Sequence, residues 1–182
     1  MYHTNCFLQN PYRIPFDHMT ARTVAVHLFL VTLGIVVAAY ALHVEAMLIE
    51  IPGYQPSCDI SSLQMSCSKV FNSKYAKILS YWGLVAQGSG FDLSLPQFAL
   101  LYFFACLFLP LSVRRFQRTK LLWRLLSYIV VVFNLYLAYI LKFKLGEFCI
   151  VCVTNYVINA GVLITTHKLT KSAAIPSTKK NK

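Results

Sequence analysis

The chain has 182 residues, of which 57% are hydrophobic and only 13% charged, and it carries a formal net charge of +11. A soluble domain carries about 25% charged residues, so a mean hydropathy of +0.57 excludes an ordinary water-soluble fold. The charges are clustered, and the runs between them have the length of a bilayer crossing.

Residues 1–22 form a polar N-terminal segment. Cys6 lies within it and is expected to be cytoplasmic and reduced. Between Arg22 and Glu45 lie 22 residues without Asp, Glu, Lys or Arg. A bilayer core takes about 20 apolar residues, so a first span is expected over about 24–43. Its apolar run, Val24 to Leu42, is longer than a cleaved signal peptide's hydrophobic region and is read as a retained anchor. The 45–94 stretch is the one sizeable extramembrane loop. Within it Ser68 is a candidate helix cap, and Phe71, Tyr75, Ile78 and Trp82 recur at helical spacing, with Lys69, Lys74 and Lys77 off that stripe. Such a segment fits a plain interfacial helix, or a lid over a pocket in the bundle.

Three further charge-free windows follow: 21 residues between Asp92 and Arg114, 17 between Arg124 and Lys142, and 20 between Glu147 and Lys168. They predict spans over about 95–113, 123–141 and 149–167, with Arg124 snorkelling from the start of the third. Cys106, alone inside the second span, is read as a small apolar residue. The tail, 168–182, ends Lys179-Lys180-Asn181-Lys182, a spacing that resembles the dilysine retrieval signal of endoplasmic-reticulum membrane proteins.

Four spans place both termini and the 114–120 loop on one side. That side holds twelve Lys and Arg residues, against five on the other. Cytoplasmic loops carry the excess of positive charge, so both termini are expected to be cytoplasmic and the 45–94 loop lumenal. The positive charge then needs no nucleic-acid partner, because anionic cytoplasmic lipids account for it.

This topology puts Cys58, Cys67, Cys149 and Cys152 on the oxidising side, where disulfides persist. Cys149-Ile150-Val151-Cys152 is a C-x-x-C motif at a helix start, where free backbone N–H groups and the helix dipole stabilise a thiolate. A redox pair, a zinc site and a permanent disulfide all use this spacing. A single C-x-x-C with no histidine in the adjoining lumenal loops argues against zinc, and its position at the membrane boundary favours redox exchange. Tyr156 and Asn159 follow Cys152 by four and seven residues and share its helix face. Polar groups within a span usually face the bundle interior, so behind a C-x-x-C a tyrosine becomes a candidate donor to a bound carbonyl.

The segments Tyr40-Ala-Leu-His-Val-Glu-Ala46, Cys58-Asp59, Ser66-Cys-Ser-Lys-Val-Phe71 and Phe148-Cys-Ile-Val-Cys-Val-Thr-Asn-Tyr-Val-Ile-Asn159 resemble the vitamin K epoxide reductase family. The likeness runs in one order from about Arg22 to Lys168. It implies an all-α integral membrane protein, a four-helix bundle around a quinone pocket capped by the lumenal loop. It also implies an enzyme of the warfarin-sensitive type. Cys152 would attack the quinone or epoxide, Cys149 would resolve the adduct, and a Cys58–Cys67 pair would relay electrons from a lumenal thioredoxin-like protein. Tyr156 would bond a quinone oxygen, and Phe71, Leu137, Leu141 and Leu145 would line the pocket. No metal, flavin or nicotinamide is implied, since the quinone is the substrate.

Two departures stand out. Eight residues separate Cys58 from Cys67 where the family usually has one fewer, and Ser94 occupies the place of a substrate-binding asparagine in vertebrate members. Two other readings use the same sequence. One is a quinone-coupled oxidase that generates disulfides in lumenal proteins. The other is a non-enzymatic four-helix scaffold.

Overall fold

In the computed structural model, residues 18–59, 66–116 and 118–172 are described, leaving aside the side chains of residues 18–20 and Arg114. Cys6 and the Lys179–Lys180 pair fall outside them. The described residues contain helices and no strands. They are α1 (His18–Glu50), α2 (Cys67–Phe71), α3 (Ile78–Tyr81), α4 (Leu95–Leu107), α5 (Leu109–Arg115), α6 (Thr119–Ile140) and α7 (Ile150–Ser172), with a π-helical turn, Leu141–Leu145, after α6.

Three of these helices are long and apolar enough to cross a membrane, within Ala21–Glu50, Thr119–Leu145 and Ile150–Ser172. The uninterrupted span expected over 95–113 is instead two helices that part at Phe108, α4 of 13 residues and α5 of seven. Pro110 explains the break. It has no N–H to offer the Cys106 carbonyl four residues earlier, and its ring would crowd that carbonyl, whereas a proline is tolerated in the first turn of a new helix. The Cys106 carbonyl, which loses its regular helical donor to Pro110, accepts a hydrogen bond from His27 Nε2 at 3.1 Å. The other ring nitrogen of His27 pairs with Thr165 Oγ1 at 2.9 Å. One buried imidazole thus ties α1, α4 and α7 together where α4 ends. Laid end to end at 1.5 Å per residue, the two pieces amount to about 30 Å of helix.

α1 also runs past its expected end at residue 43. The Glu45–Glu50 stretch has no helix breaker, and the helix stops ahead of Pro52, since the residue before a proline is pushed out of the α region. Along its middle, α1 packs on α4 and α7, and α7 packs in turn on α6. The core there holds Val31, Ala38, Phe103, Cys106, Ile158 and Val162. Cys106 is fully buried and free, which matches its reading as an apolar filler. Gly34 makes the α1–α4 approach possible, because a Cβ there would sit 2.5 Å from the Phe103 ring. The outward faces stay apolar. Phe29, Ile129, Leu135 and Val157 are each more than 60% exposed, a surface suited to hydrocarbon rather than water.

At the other end the loop departs from the expected single amphipathic helix. The stripe from Phe71 to Trp82 is cut into α2 and α3, with turns between them. The N-cap of α2 is Ser66, whose side chain accepts from the Lys69 N–H at 3.3 Å. Ser68 lies inside the helix and turns its hydroxyl to Asp59. Arg124, expected to snorkel, donates to Thr170 Oγ1 on α7 at 2.6 Å. After the π-turn, Gly146 takes a left-handed conformation, φ +67°, which a residue without Cβ adopts at little cost. The chain reverses there and delivers Cys149 to the start of α7.

Candidate active site

Cys58, Cys67, Cys149 and Cys152 pack into one cluster at one end of the bundle. Cys58 and Cys67 form a disulfide with their Cα atoms 5.9 Å apart, so the eight-residue interval between them accommodates the pairing. Asp59 secures it. One carboxylate oxygen accepts from the backbone N–H groups of Cys67, at 2.6 Å, and Ser68, at 3.1 Å, while the other accepts from the Ser68 hydroxyl. These are the unpaired amides of the first turn of α2, and a carboxylate satisfies them as an N-cap does. Two further fasteners tie α2 to the segment before α7. The Ser66 N–H donates to the Phe148 carbonyl at 3.0 Å, and Lys69 pairs with Glu147.

The result is a line of sulfurs. Cys67 Sγ stands 3.8 Å from Cys149 Sγ, across 82 residues of sequence. Cys149 is buried and free, and accepts from the Cys152 backbone N–H at 3.2 Å. That is the contact by which a helix N-terminus favours a thiolate. Cys152, also free, is half-buried and faces a cavity of about 150 Å³. Cys58, Asp59 and Cys67 bring three potential metal-binding atoms within 4.8 Å. With both sulfurs committed to a disulfide, this group offers no thiolate to zinc.

The cavity is walled almost wholly by apolar side chains. Of the residues expected to line it, Phe71 on α2, Leu137 on α6, Leu141 and Leu145 of the π-turn, and Tyr156 on α7 are all brought together beside Cys152. Ser94 is not among the lining residues. It is buried, whereas the next two residues, Leu95 and Pro96, line the cavity, and its N–H donates to Gln97 Oε1 at 2.8 Å to start α4. Sequence reasoning missed Asn134 and Asn155, and it noted Asn159 only for its helix face; all three line the cavity. The signal was present in Asn134, a carboxamide in the middle of a charge-free span on the same helix face as Leu137 and Leu141.

Outside the helix bundle, Asp92 stabilises the end of the loop. Burial pushes its carboxyl up, but the Gly88 N–H, at 3.2 Å, together with Ser80 and Lys77 holds it below the usual carboxylate range.

A disulfide, two free thiols and an apolar pocket in sequence, at one end of a bundle of apolar helices, are the parts of a membrane oxidoreductase. Comparison with known proteins agrees. The profile of the vitamin K epoxide reductase family matches residues 25–167. The chain is 38% identical over 135 residues to vitamin K epoxide reductase complex subunit 1 of Rattus norvegicus, covering 72% of this chain and 80% of that protein. Its identity to the Mus musculus protein of the same name is 38% over 143 residues, covering 76% and 85%. The chain belongs to the vitamin K epoxide reductase family, as the resemblance of its cysteine motifs implied.

Proposed function

We propose that this protein reduces vitamin K 2,3-epoxide and vitamin K quinone in the endoplasmic-reticulum membrane, with electrons relayed through Cys58 and Cys67 to Cys149 and Cys152. The observation that carries this reading is the run of sulfurs from the Cys58–Cys67 disulfide, across 3.8 Å to Cys149, and on to Cys152 at the wall of an apolar cavity. Both cysteines of the C-x-x-C are free while the loop pair is oxidised. In this reading, that distribution corresponds to two electrons held on the cavity side.

From that state the Cys152 thiolate adds to the quinone ring. Cys149 then displaces the ring from the adduct. A Cys149–Cys152 disulfide forms and the quinone leaves as hydroquinone, having gained two electrons and two protons. With the epoxide, the same two electrons yield quinone and water. A reduced Cys67 attacks Cys149 in the new disulfide, and Cys58 closes the loop disulfide. Each step is exchange through a mixed disulfide. A lumenal thioredoxin-like protein recharges the loop pair, with both termini cytoplasmic and the 45–94 loop lumenal. Tyr156 donates to a quinone oxygen, and the apolar walls receive a ligand that arrives from the bilayer.

The test is turnover by the purified chain with a membrane-permeant dithiol, with epoxide and quinone offered separately and with warfarin added. Wild-type protein consumes both and warfarin slows it, while Cys152→Ser consumes neither. Undiminished activity in Cys152→Ser would overturn the mechanism. Oxidation of partner thiols at the expense of quinone, without epoxide loss, would instead make the chain a disulfide-generating oxidase.

A further inference from the structure

Asn134 stands in the middle of α6 with only 8% of its surface exposed, and it lines the cavity. Its Nδ2 is buried without a hydrogen-bond partner. Asn155 and Asn159, on the α7 wall beside Cys152 and Tyr156, each bury an unpartnered Oδ1 as well. A buried amide that makes no hydrogen bond carries the full cost of its lost hydration. Here three such amides face a space whose other lining residues, apart from Ser73 and Cys152, are aliphatic or aromatic. No charged side chain lines that space. Its complementary ligand is therefore neutral and largely apolar, with polar atoms at more than one edge.

From this we infer that Asn134 is a substrate-binding residue that donates to one carbonyl of the quinone from α6, while Tyr156 on α7 serves the other. The inference rests on the quinone-reductase reading given above. A 1,4-quinone presents two acceptors on one flat ring, and the two donors come from different walls. They fix the plane and the register of that ring against the Cys152 sulfur. A carboxamide also suits the product. Reduction turns each carbonyl into a hydroxyl donor, and by rotating end for end the Asn134 side chain offers its oxygen in place of its NH₂. A second donor on α6 also gives the pocket a polar contact that Ser94, which does not line it, does not provide.

The experiment uses the full-length chain in detergent micelles, a 2-methyl-1,4-naphthoquinone with an isoprenoid tail as probe, and the permeant dithiol as reductant. Two variants are compared with wild type. Asn134→Leu keeps the branched shape and the number of heavy atoms and removes both polar ends; Asn134→Ser keeps a hydroxyl. Loss of one neutral hydrogen bond raises KM for the quinone by roughly three- to tenfold in Asn134→Leu, with kcat changed less and Asn134→Ser falling between. Thermal unfolding of the ligand-free protein moves the other way. Asn134→Leu melts at or above the wild-type temperature, since it removes an unpartnered buried amide, and gains less stability when quinone is added. A residue that merely held the bundle together would lower the melting temperature of the empty protein and leave KM alone. If wild type turns over quinone and both variants keep its KM, Asn134 is not a ligand and this inference fails by itself. If wild type neither turns over quinone nor is stabilised by it, the quinone-reductase reading fails too.

Discussion

Cys67 and Cys149, 82 residues apart in the chain, bring their sulfurs to 3.8 Å in the interior. A bond between them needs only a small approach, because the helix start that bears Cys67 and the segment that bears Cys149 are already tied by the Ser66–Phe148 backbone bond and the Lys69–Glu147 ion pair. Replacing Cys58 and Cys152 together by serine leaves these two thiols as the only reactive pair at the site. Mild oxidation of that double variant should give a Cys67–Cys149 disulfide as the main intramolecular product, read by peptide mapping under non-reducing conditions. Recovery of both thiols unlinked would remove the relay.

Asp59 is the anchor of that arrangement, since three donors from Cys67 and Ser68 converge on its carboxylate. Hydrogen bonds to a charged group contribute about 1.5–3 kcal/mol each, so Asp59→Ala frees the start of α2 and lets Cys67 drift from Cys149. Turnover driven by a protein reductant is expected to fall about tenfold or more, on the basis of losing one such bond. Turnover driven by a permeant dithiol, which reaches Cys149 and Cys152 directly, should change little. Equal losses with both reductants would mean that Asp59 supports the fold as a whole.

Tyr156 lies one turn beyond Cys152 on the cavity wall. Tyr156→Phe keeps the ring and deletes one donor. A ground-state hydrogen bond contributes about 0.5–1.5 kcal/mol, and a donor to a developing oxyanion about 2.7–4 kcal/mol. Turnover should therefore drop at least several-fold, and a hundredfold or more if the bond acts mainly in the transition state. Kinetics with quinone and epoxide, at matched yield of folded protein, decide the matter, and unchanged values would reduce Tyr156 to packing.

Gly34 and Phe103 set the distance between α1 and α4. Alanine at 34 would gain up to about 1 kcal/mol of helix propensity, but its methyl would fall 2.5 Å from the fully buried Phe103 ring. Overpacking costs about 1–3 kcal/mol, so Gly34→Ala should lower the thermal midpoint in detergent. Gly34→Ala combined with Phe103→Leu should recover part of the loss. A raised midpoint in the single variant would show that the two helices stand further apart.

Asp92 gives the loop its dependence on acid. Its folded carboxyl titrates below the usual range, so it adds stability that is fully present above the ordinary carboxylate value of about 3.9. That stability is lost as pH falls through the lowered folded value. Trp82, packed 6.3 Å from Phe133 and 6.1 Å from Tyr136 by ring centroids, reports the loop. Its fluorescence, read in a Trp123→Phe background, should hold steady through mildly acidic pH and change only below that range. In Asp92→Asn the acid step should disappear. A step of equal size in both proteins would assign it to another group.

The membrane character and the position of the site were legible in the sequence because both are written locally. Charge-free windows mark the long helices, and the Cys149-Ile150-Val151-Cys152 spacing with Tyr156 marks one wall of the cavity. What escaped depends on contacts between distant residues or on a choice between near neighbours. Two serines flank Cys67, and only the fold shows that Ser66 caps α2 while Ser68 turns to Asp59. Pro110 was visible in the second window, yet averaging over hydropathy hides a break that costs no apolar residue. Ser94 was assigned to the pocket by its place in a family pattern, whereas the lining begins one residue later, at Leu95.

The sulfurs of Cys58, Cys67, Cys149 and Cys152 lie together at one end of the bundle, and this bears on energy coupling. Exchange between a thiol and a disulfide takes up its protons along with its electrons, so a full cycle among these atoms leaves no net charge displaced through the low-dielectric interior. Moving an elementary charge across the bilayer against 100 mV costs about 2.3 kcal/mol, and sulfurs grouped in this way incur none of that cost. Exchange confined to these atoms would neither draw on the transmembrane voltage nor be throttled by it.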